Sequence, residues 1–334
     1  MSTASEIPYY LRPNKHIDRE LFMELLSRVV PTWGTDTYCY FSMGGRHLID
    51  QRMVYRRLGV QHLYSIDMDT EVVLRQEFNK PISSARCELK TSGELVSEFA
   101  DLVELMDGPE RAIVWLDYTT PRQRLNQINE FAEVARQLAP GEVVRITINA
   151  HAATLGSDRD WKEKGEYPSL AEYRAGRLKQ QLGKLVPSTV SEVDQKTLPG
   201  VLMRCIKNAL ESKKVFENGT NKILALATCY EDGHRMLTVA LLGVVAGEDI
   251  PRGLDSWSHK PADWSEFITI NAPDLSTRER HALDQQLGAS PDEVLDALRF
   301  LPAKGEERET SLMAVESYQR LHRFYPSFQN TDGI

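Results

Sequence analysis

Cysteine is scarce in this chain and never arranged for pairing. Cys39, Cys87, Cys205 and Cys229 are the only four in 334 residues, with no C-x-x-C among them, which excludes a disulfide framework and a zinc ribbon. Three of them lie in or beside apolar runs, where a free thiol behaves as a small buried hydrophobe. Long hydrophobic runs are missing too. No stretch approaches the roughly 18 apolar residues of a membrane span, and Pro8 and Pro13 break a polar N-terminus where a signal peptide would need an apolar core. An excess of positive charge is also absent. The 40 Lys and Arg against 48 Asp and Glu leave a net charge of −8, which excludes bulk attraction to nucleic acid and leaves only local patches. The expectations are a cytoplasmic location and no membrane contact. No repeat or low-complexity tract is present. With 41% hydrophobic and 26% charged residues, the chain has the composition for one elaborated α/β domain or for two domains.

The stretch 37–69 organises what is there. Thr37–Ser42 is β-branched and aromatic, as a buried strand should be. Met43-Gly44-Gly45 then forces a tight turn at which backbone can approach a ligand without Cβ interference. Leu48–Leu58 sets Leu48, Ile49, Met53, Val54 and Leu58 at helical spacing, Gly59 stops the helix, and Leu63–Ile66 begins a strand that runs into Asp67 and Asp69. Strand, glycine turn, helix, strand and acid make half of a nucleotide-binding α/β fold. Asp67 falls 23 residues beyond Gly44, near where such folds set a carboxylate on a ribose. The third glycine of G-x-G-x-x-G is missing, which counts against an NAD-dependent oxidoreductase. The plainer alternative is a βαβ unit whose glycines only turn the chain and whose acids only cap it.

The pattern then repeats. Glu71–Phe78 reads as a helix, Ala85–Leu89 as a third strand, and Leu95, Phe99, Leu102, Val103 and Met106 as one helix ending at Met106. Ala112–Tyr118 is a near-continuous apolar run ending in Asp117-Tyr118, expected to be buried on both faces of a parallel sheet. Asn126–Leu138 is helical and Val143–Asn149 is a fifth strand. The fold class is therefore α/β, a doubly wound sheet with ligand chemistry at the strands' C-terminal ends. Those ends carry Met43-Gly44-Gly45, Asp67 and Asp69, Thr91 and Ser92, Asp117 and Tyr118, and Asn149. Residues 151–220 form an insertion, charged at first and then helical over Ala171–Leu185 and Leu198–Ser212. Ile223–Tyr230 and Met236–Val245 are strands joined by Glu231-Asp232-Gly233-His234, an antiparallel hairpin.

Five βα units closed by such a hairpin, with a glycine turn after the first strand and acids after the second and fourth, resemble a class I S-adenosylmethionine-dependent methyltransferase over residues 35–247. As a whole the chain is similar to bacterial O-methyltransferase-like proteins. The resemblance implies that Met43, Gly44 and Gly45 receive the methionine moiety of S-adenosylmethionine, that Asp67 holds the ribose, and that Thr91 and Ser92 border the adenine. Tyr40-Phe41-Ser42 stands where the family has an acid before its glycines. The same resemblance sets Asp117 and Tyr118 at the catalytic position facing the methyl acceptor. Leu116-Asp117 is similar to the pair that holds a divalent ion in metal-dependent O-methyltransferases, and Asn149 matches half of their second pair, which makes Asp117 and Asn149 the candidate Mg²⁺ ligands. His47 and His151 are the candidate general bases if no metal takes part, against the plainer reading of both as loop histidines. The alternative to an O-methyltransferase of unknown acceptor is a catalytically silent relative that senses a nucleotide or serves a multi-protein complex.

The ends are read as additions, a helical segment over 1–34 and a helical extension over 248–334 that is the candidate surface for a protein partner. Asn14 is expected to cap a helix Lys15–Val30. The aromatic and basic segment ahead of it makes Arg12, Lys15 and Arg19 candidates for closing over an anion, against simple packing. Trp257 and Trp264 should anchor a loop 248–270. Ser276 with Glu279 and Ser290 with Glu293 are capping boxes that open two helices, ending at Leu287 and Leu301. Acids at Asp292, Glu293 and Asp296 make the second a poor DNA reader. A last helix Ser311–Phe324 leads to Phe324, Tyr325 and Phe328, which should dock.

Overall fold

The protein is described by a computed structural model over residues 12–106, 108–217, 220–245, 250–251, 253–273, 275–303 and 307–326. The aromatic stretch at 7–11 and Phe328 lie outside the described residues. The chain divides into two compact units, Phe22–Ala227 with Met236–Phe267, and Met1–Leu21 with Thr228–Arg235 and Ile268–Ile334. The division runs within the first helix, α1 (Pro13–Val29), and within both strands of the hairpin.

The larger unit holds an α/β sheet. Its strands are β1 (Tyr38–Ser42), β2 (His62–Asp67), β3 (Arg86–Leu89), β4 (Arg111–Asp117) and β5 (Val143–Asn149), with most of β6 (Thr220–Asp232) and β7 (His234–Val245). They lie in the order β3-β2-β1-β4-β5-β7-β6. β1 to β5 are parallel and β7 runs antiparallel to β5, which is the class I methyltransferase arrangement. Strand order reverses between β1 and β4, and ligand crevices open at the C-terminal ends of strands around such a switch. The apolar run of β4 is buried from Ala112 to Leu116, as a central parallel strand requires. On one side of the sheet the Arg145 guanidinium lies 4.6 Å from the Phe22 ring centre and 4.2 Å from that of Trp115. There the rings' negative faces stabilise a cation held out of water.

The helices of this unit are α2 (Ile49–Leu58), α3 (Thr70–Asn79), α4 (Ser92–Ser97), α5 (Phe99–Leu105), α6 (Arg124–Gln137), α7 (Asp158–Lys164), α8 (Leu170–Leu182) and α9 (Leu198–Ser212). The stretch expected to be one helix up to Met106 is two, divided at Glu98. Within the insertion α9 sets Leu198, Leu202, Cys205, Ile206, Ala209 and Leu210 on one face at 1% exposure or less, in the same core as Val144, Ile146 and Ile148. Each such aliphatic side chain contributes roughly 1.5–3 kcal/mol on burial. This part of the insertion is a core layer. Trp257 is buried with Arg28 above its ring at 5.5 Å, and Trp264 packs on the core.

In the smaller unit β8 (Ile268–Ile270) pairs in parallel with Thr228–Tyr230 of β6, so the stretch expected to be loop ends in a strand. The helices are α10 (Thr277–Asp284), α11 (Pro291–Leu298) and α12 (Arg308–Leu321), and both capping boxes form. Tyr325 is buried with its ring 4.7 Å from that of Tyr318, so that part of the aromatic tail docks. Asn14 does not cap α1. It is the second helical residue, and its amide donates to Glu231 O and Asp232 Oδ1 while its oxygen accepts from Ala272 N–H. Asp232 does the capping instead, accepting from Lys15 N–H at 2.7 Å. Lys15 and Arg19 are buried and belong with Arg12 to this unit, whereas the strand-end residues belong to the larger one.

Candidate active site

The strand-end site begins where β1 stops. Gly44 and Gly45 both take left-handed backbone, φ +54° and +57°, and Gly45 N–H donates to Met43 O at 2.5 Å to close the turn. A Cβ on Gly44 would come within 2.5 Å of Leu48 Cδ2 and 2.7 Å of Ser65 Oγ. Glycine is thus required here both for backbone shape and for space. Beneath the turn lie Ser42, Gln51, Ser65 and Gln76, all neutral and at most 2% exposed. Gln76 Nε2 donates to Met43 O at 3.2 Å and Gln51 Nε2 reaches Ser42 Oγ only at 3.5 Å. Gln51 Oε1, Gln76 Oε1 and Ser65 Oγ have no hydrogen-bond partner. Three buried groups with open hydrogen-bonding capacity in one place are uncommon and call for a ligand or water. The acid that the family has before its glycines is replaced locally by Tyr40, whose hydroxyl donates to Asp50 Oδ2 at 2.9 Å.

One strand over, β2 ends at Asp67, and its two neighbouring acids have separate tasks. Asp69 caps α3, accepting from Glu71 N–H and Val72 N–H. Asp67 stays half-buried at the strand end and accepts from Asp69 N–H at 2.9 Å. Burial, and after it the Asp69 charge, push the Asp67 carboxyl above its ordinary range, while the Asp69 N–H works the other way. After β3, Thr91 is engaged as the N-cap of α4, donating to Glu94 Oε2 at 2.8 Å and accepting from Glu94 N–H. Ser92 lies near enough to the Tyr118 hydroxyl to bear on its titration.

After β4 and β5 Tyr118, Arg124 and Asn149 are engaged, while Gln127 Oε1 of α6 stays open. Asp117 is half-buried at the end of β4. The buried Tyr118 follows, its N–H bonded to Thr147 O and its hydroxyl donating to Glu130 of α6. Burial, then the Glu130 charge, hold that phenol well above its usual range, so it is neutral at rest. Arg124, with no exposed surface, directs all five N–H groups to neutral oxygens: Asn149 O and Oδ1, Pro121 O, Gln181 Oε1 and Thr154 Oγ1. Burial lowers it to about 10, which leaves it charged at neutral pH.

The surroundings of Asn149 bear on its reading as a metal ligand. Its Oδ1 accepts from Arg124 Nη2 at 3.2 Å and His151 N–H at 3.0 Å, and a guanidinium on that oxygen opposes a divalent cation there. Among the described residues no three His, Cys, Asp or Glu side chains gather in one place. The Asp117–Asn149 pair does not fit Mg²⁺. The candidate bases fare differently from each other. His47 is exposed on the segment before α2. His151 Nδ1 faces Gln195 Nε2 at 3.2 Å, and Gln195 Oε1 accepts from Ala152 N–H. That orientation of the amide makes Nδ1 the acceptor and puts the imidazole proton on Nε2. The nitrogen a base would use is therefore occupied.

The structure thus brings Met43, Gly44, Gly45, Asp67, Ser92, Asp117, Tyr118 and Asn149 to one edge of the sheet, with Thr91 at the adjoining cap. Sequence reasoning missed Arg124, Glu130, Gln51 and Gln76. A signal existed for some of them. Arg124 and Gln127 share the helical phase of Ile128, Phe131 and Ala135, and a polar residue in a core phase needs a buried partner.

With this geometry in view, the likenesses to known proteins are specific in one respect only. A family model described as "Putative O-methyltransferase" matches residues 7–333. No curated protein matches the sequence. Among solved structures, N-methyltransferase NodS from Bradyrhizobium japonicum WM9 aligns at a TM-score of 0.32 with 11% identity, covering 68% of this chain and 97% of that one. A SAM-dependent methyltransferase from Anabaena variabilis ATCC 29413 aligns at 0.37 with 6% identity, covering 69% and 86%. Geranyl diphosphate C-methyltransferase from Streptomyces coelicolor A3(2) aligns at 0.30 with 13% identity, covering 68% and 77%.

Proposed function

The chain belongs to the family described as "Putative O-methyltransferase", and from that premise we propose that it moves the methyl group of S-adenosylmethionine to an oxygen nucleophile without help from a metal. One observation carries the cofactor half of this reading. The doubly left-handed Gly44-Gly45 turn stands beside unpartnered buried acceptors and one strand from the half-buried Asp67, a receptacle of the kind a nucleoside with an amino-acid tail needs. In it Met43, Gly44 and Gly45 take the methionine end, Asp67 accepts from the ribose hydroxyls, and Thr91 and Ser92 border the base. When bound, the cofactor supplies a sulfonium methyl open to attack by a lone pair.

The chain's own residues then orient the acceptor and receive its proton. The Tyr118 hydroxyl donates to Glu130, so its oxygen keeps lone pairs for an acceptor hydroxyl. As that hydroxyl becomes a nucleophile, its proton passes to Tyr118 Oη while Tyr118's own passes to Glu130, which later releases it to water. A neutral, buried phenol suits relay better than it suits standing as a base, and Asp117 supplies the second carboxylate at this edge. Arg124 fixes the ends of β5 and α6 so that these groups keep their places.

The test uses methyl-tritiated S-adenosylmethionine with phenols, carboxylic acids and amines as acceptors, in the presence and absence of EDTA. Label in oxygen acceptors, undiminished by the chelator and reduced about a hundredfold or more by Glu130→Gln at unchanged cofactor affinity, is expected. Transfer to nitrogen alone, or its loss with EDTA, would contradict the reading.

A further inference from the structure

The outer edge of the sheet is open. β3 is the end strand of the order and pairs only with β2 among the described strands, which leaves its outer backbone groups without a ladder. Large apolar side chains gather beside it. Phe78 is 89% exposed and Leu74, one turn earlier on α3, 58% exposed. Leu89 at the end of β3 and Leu105 at the end of α5 are exposed as well, and Arg86 Nη2 bonds to Leu105 O at 3.2 Å. α3 packs against β3, and Glu77, between Leu74 and Phe78, helps burial raise the Cys87 thiol to about 12.

The charges on β3 fit one partner. Arg86 and Glu88 are two residues apart and pair in register with Tyr64 and Ile66, so both stand on one face of the sheet. If a second copy of β3 is laid antiparallel with a two-fold axis at Cys87, Arg86 of each chain stands opposite Glu88 of the other, and both charge pairs form at once. A shift of one residue sets Arg86 opposite Leu89 and makes neither pair. A two-fold edge pairing also brings the α3 helices of the two copies together, where Leu74 and Phe78 would cover one another.

We infer that this protein self-associates through its β3 edge, forming a two-fold dimer in which Arg86–Glu88 pairs fix the register and the Leu74–Phe78 flanks of α3 supply the apolar contact. The dimer does not depend on methyl transfer. Sedimentation velocity on the full chain over a wide concentration range tests it, with circular dichroism to verify folding. Wild type is expected to sediment as a dimer. Phe78→Asp should yield a folded monomer. Arg86→Glu sets like charges opposite each other twice and should raise the dissociation constant about tenfold, and Arg86→Glu with Glu88→Arg should restore it. Phe78 is almost wholly exposed, so its loss should not unfold the chain. A wild type that stays monomeric throughout, or a dimer indifferent to Phe78→Asp and to the charge exchange, would overturn the proposal.

Discussion

The two sides of the strand-end site differ in how they treat several of their buried polar groups. Beyond β4 and β5 every donor of Arg124 is used, Asn149 Oδ1 accepts twice, and Tyr118 is tied to Glu130. Beyond β1 and β2, Gln51 Oε1, Gln76 Oε1 and Ser65 Oγ are buried without partners beneath a left-handed glycine turn. A saturated network fixes a geometry, whereas unsatisfied groups that persist in a folded protein mark where something else binds. Under the proposed function, the β4–β5 side positions the acceptor and the β1–β2 side holds the cofactor.

The comparison breaks most visibly at Arg124. Arg124→Ala should destabilise the protein by about 3–5 kcal/mol, because several buried acceptors lose their donor and a cavity is left. Thermal unfolding reads it, and Arg124→Lys should rescue little, since an ammonium cannot serve this fork of five donors. On the opposite side Gly44→Ala should cost about 1–3 kcal/mol, from positive φ and from contact with Leu48 and Ser65, and should abolish cofactor binding at temperatures where the protein is still folded. Asp67→Asn should separate the two roles further. Its carboxyl is raised by burial, so ionisation is disfavoured in the folded state, and the neutral amide should leave stability near neutral pH unchanged or higher by no more than about 1 kcal/mol. Cofactor affinity in the wild type should fall as pH drops through that raised value, beginning above the ordinary carboxylate range, and Asp67→Asn should flatten the profile. The effect at Gln51 is expected to be small and confined to stability. Gln51→Met should cost under about 1.5 kcal/mol, because the amide it removes is largely unpartnered and the volume is nearly conserved.

What the sequence made legible was local. β5 and α9 have the ends that their apolar periodicity predicts, Val143–Asn149 and Leu198–Ser212, and Asp232-Gly233 turns the hairpin, with Gly233 at φ +88°. The glycine turn and the acid after β2 could be located because tight turns and strand ends leave fixed residue signatures. The break at Glu98, the three-residue β8, and the short α7 in a charged stretch leave too little periodicity to read. The partners could not be read either. Arg124 finds Gln181 at a separation of 57 residues and Asn14 finds the hairpin turn 217 residues on, so their roles are set by tertiary packing. Asn149 illustrates the consequence. Its place after β5 suggested a ligand, and only the guanidinium beside it shows that its oxygen is already held.

Calorimetric titration with S-adenosylmethionine and S-adenosylhomocysteine, on wild type and on Asp67→Ala, tests the central claim most directly. The account predicts micromolar binding of both, weakened about tenfold or more in the variant by loss of charge-assisted hydrogen bonds, while a parallel titration with NAD stays silent. No heat with either ligand, or equal affinity in Asp67→Ala, would contradict it.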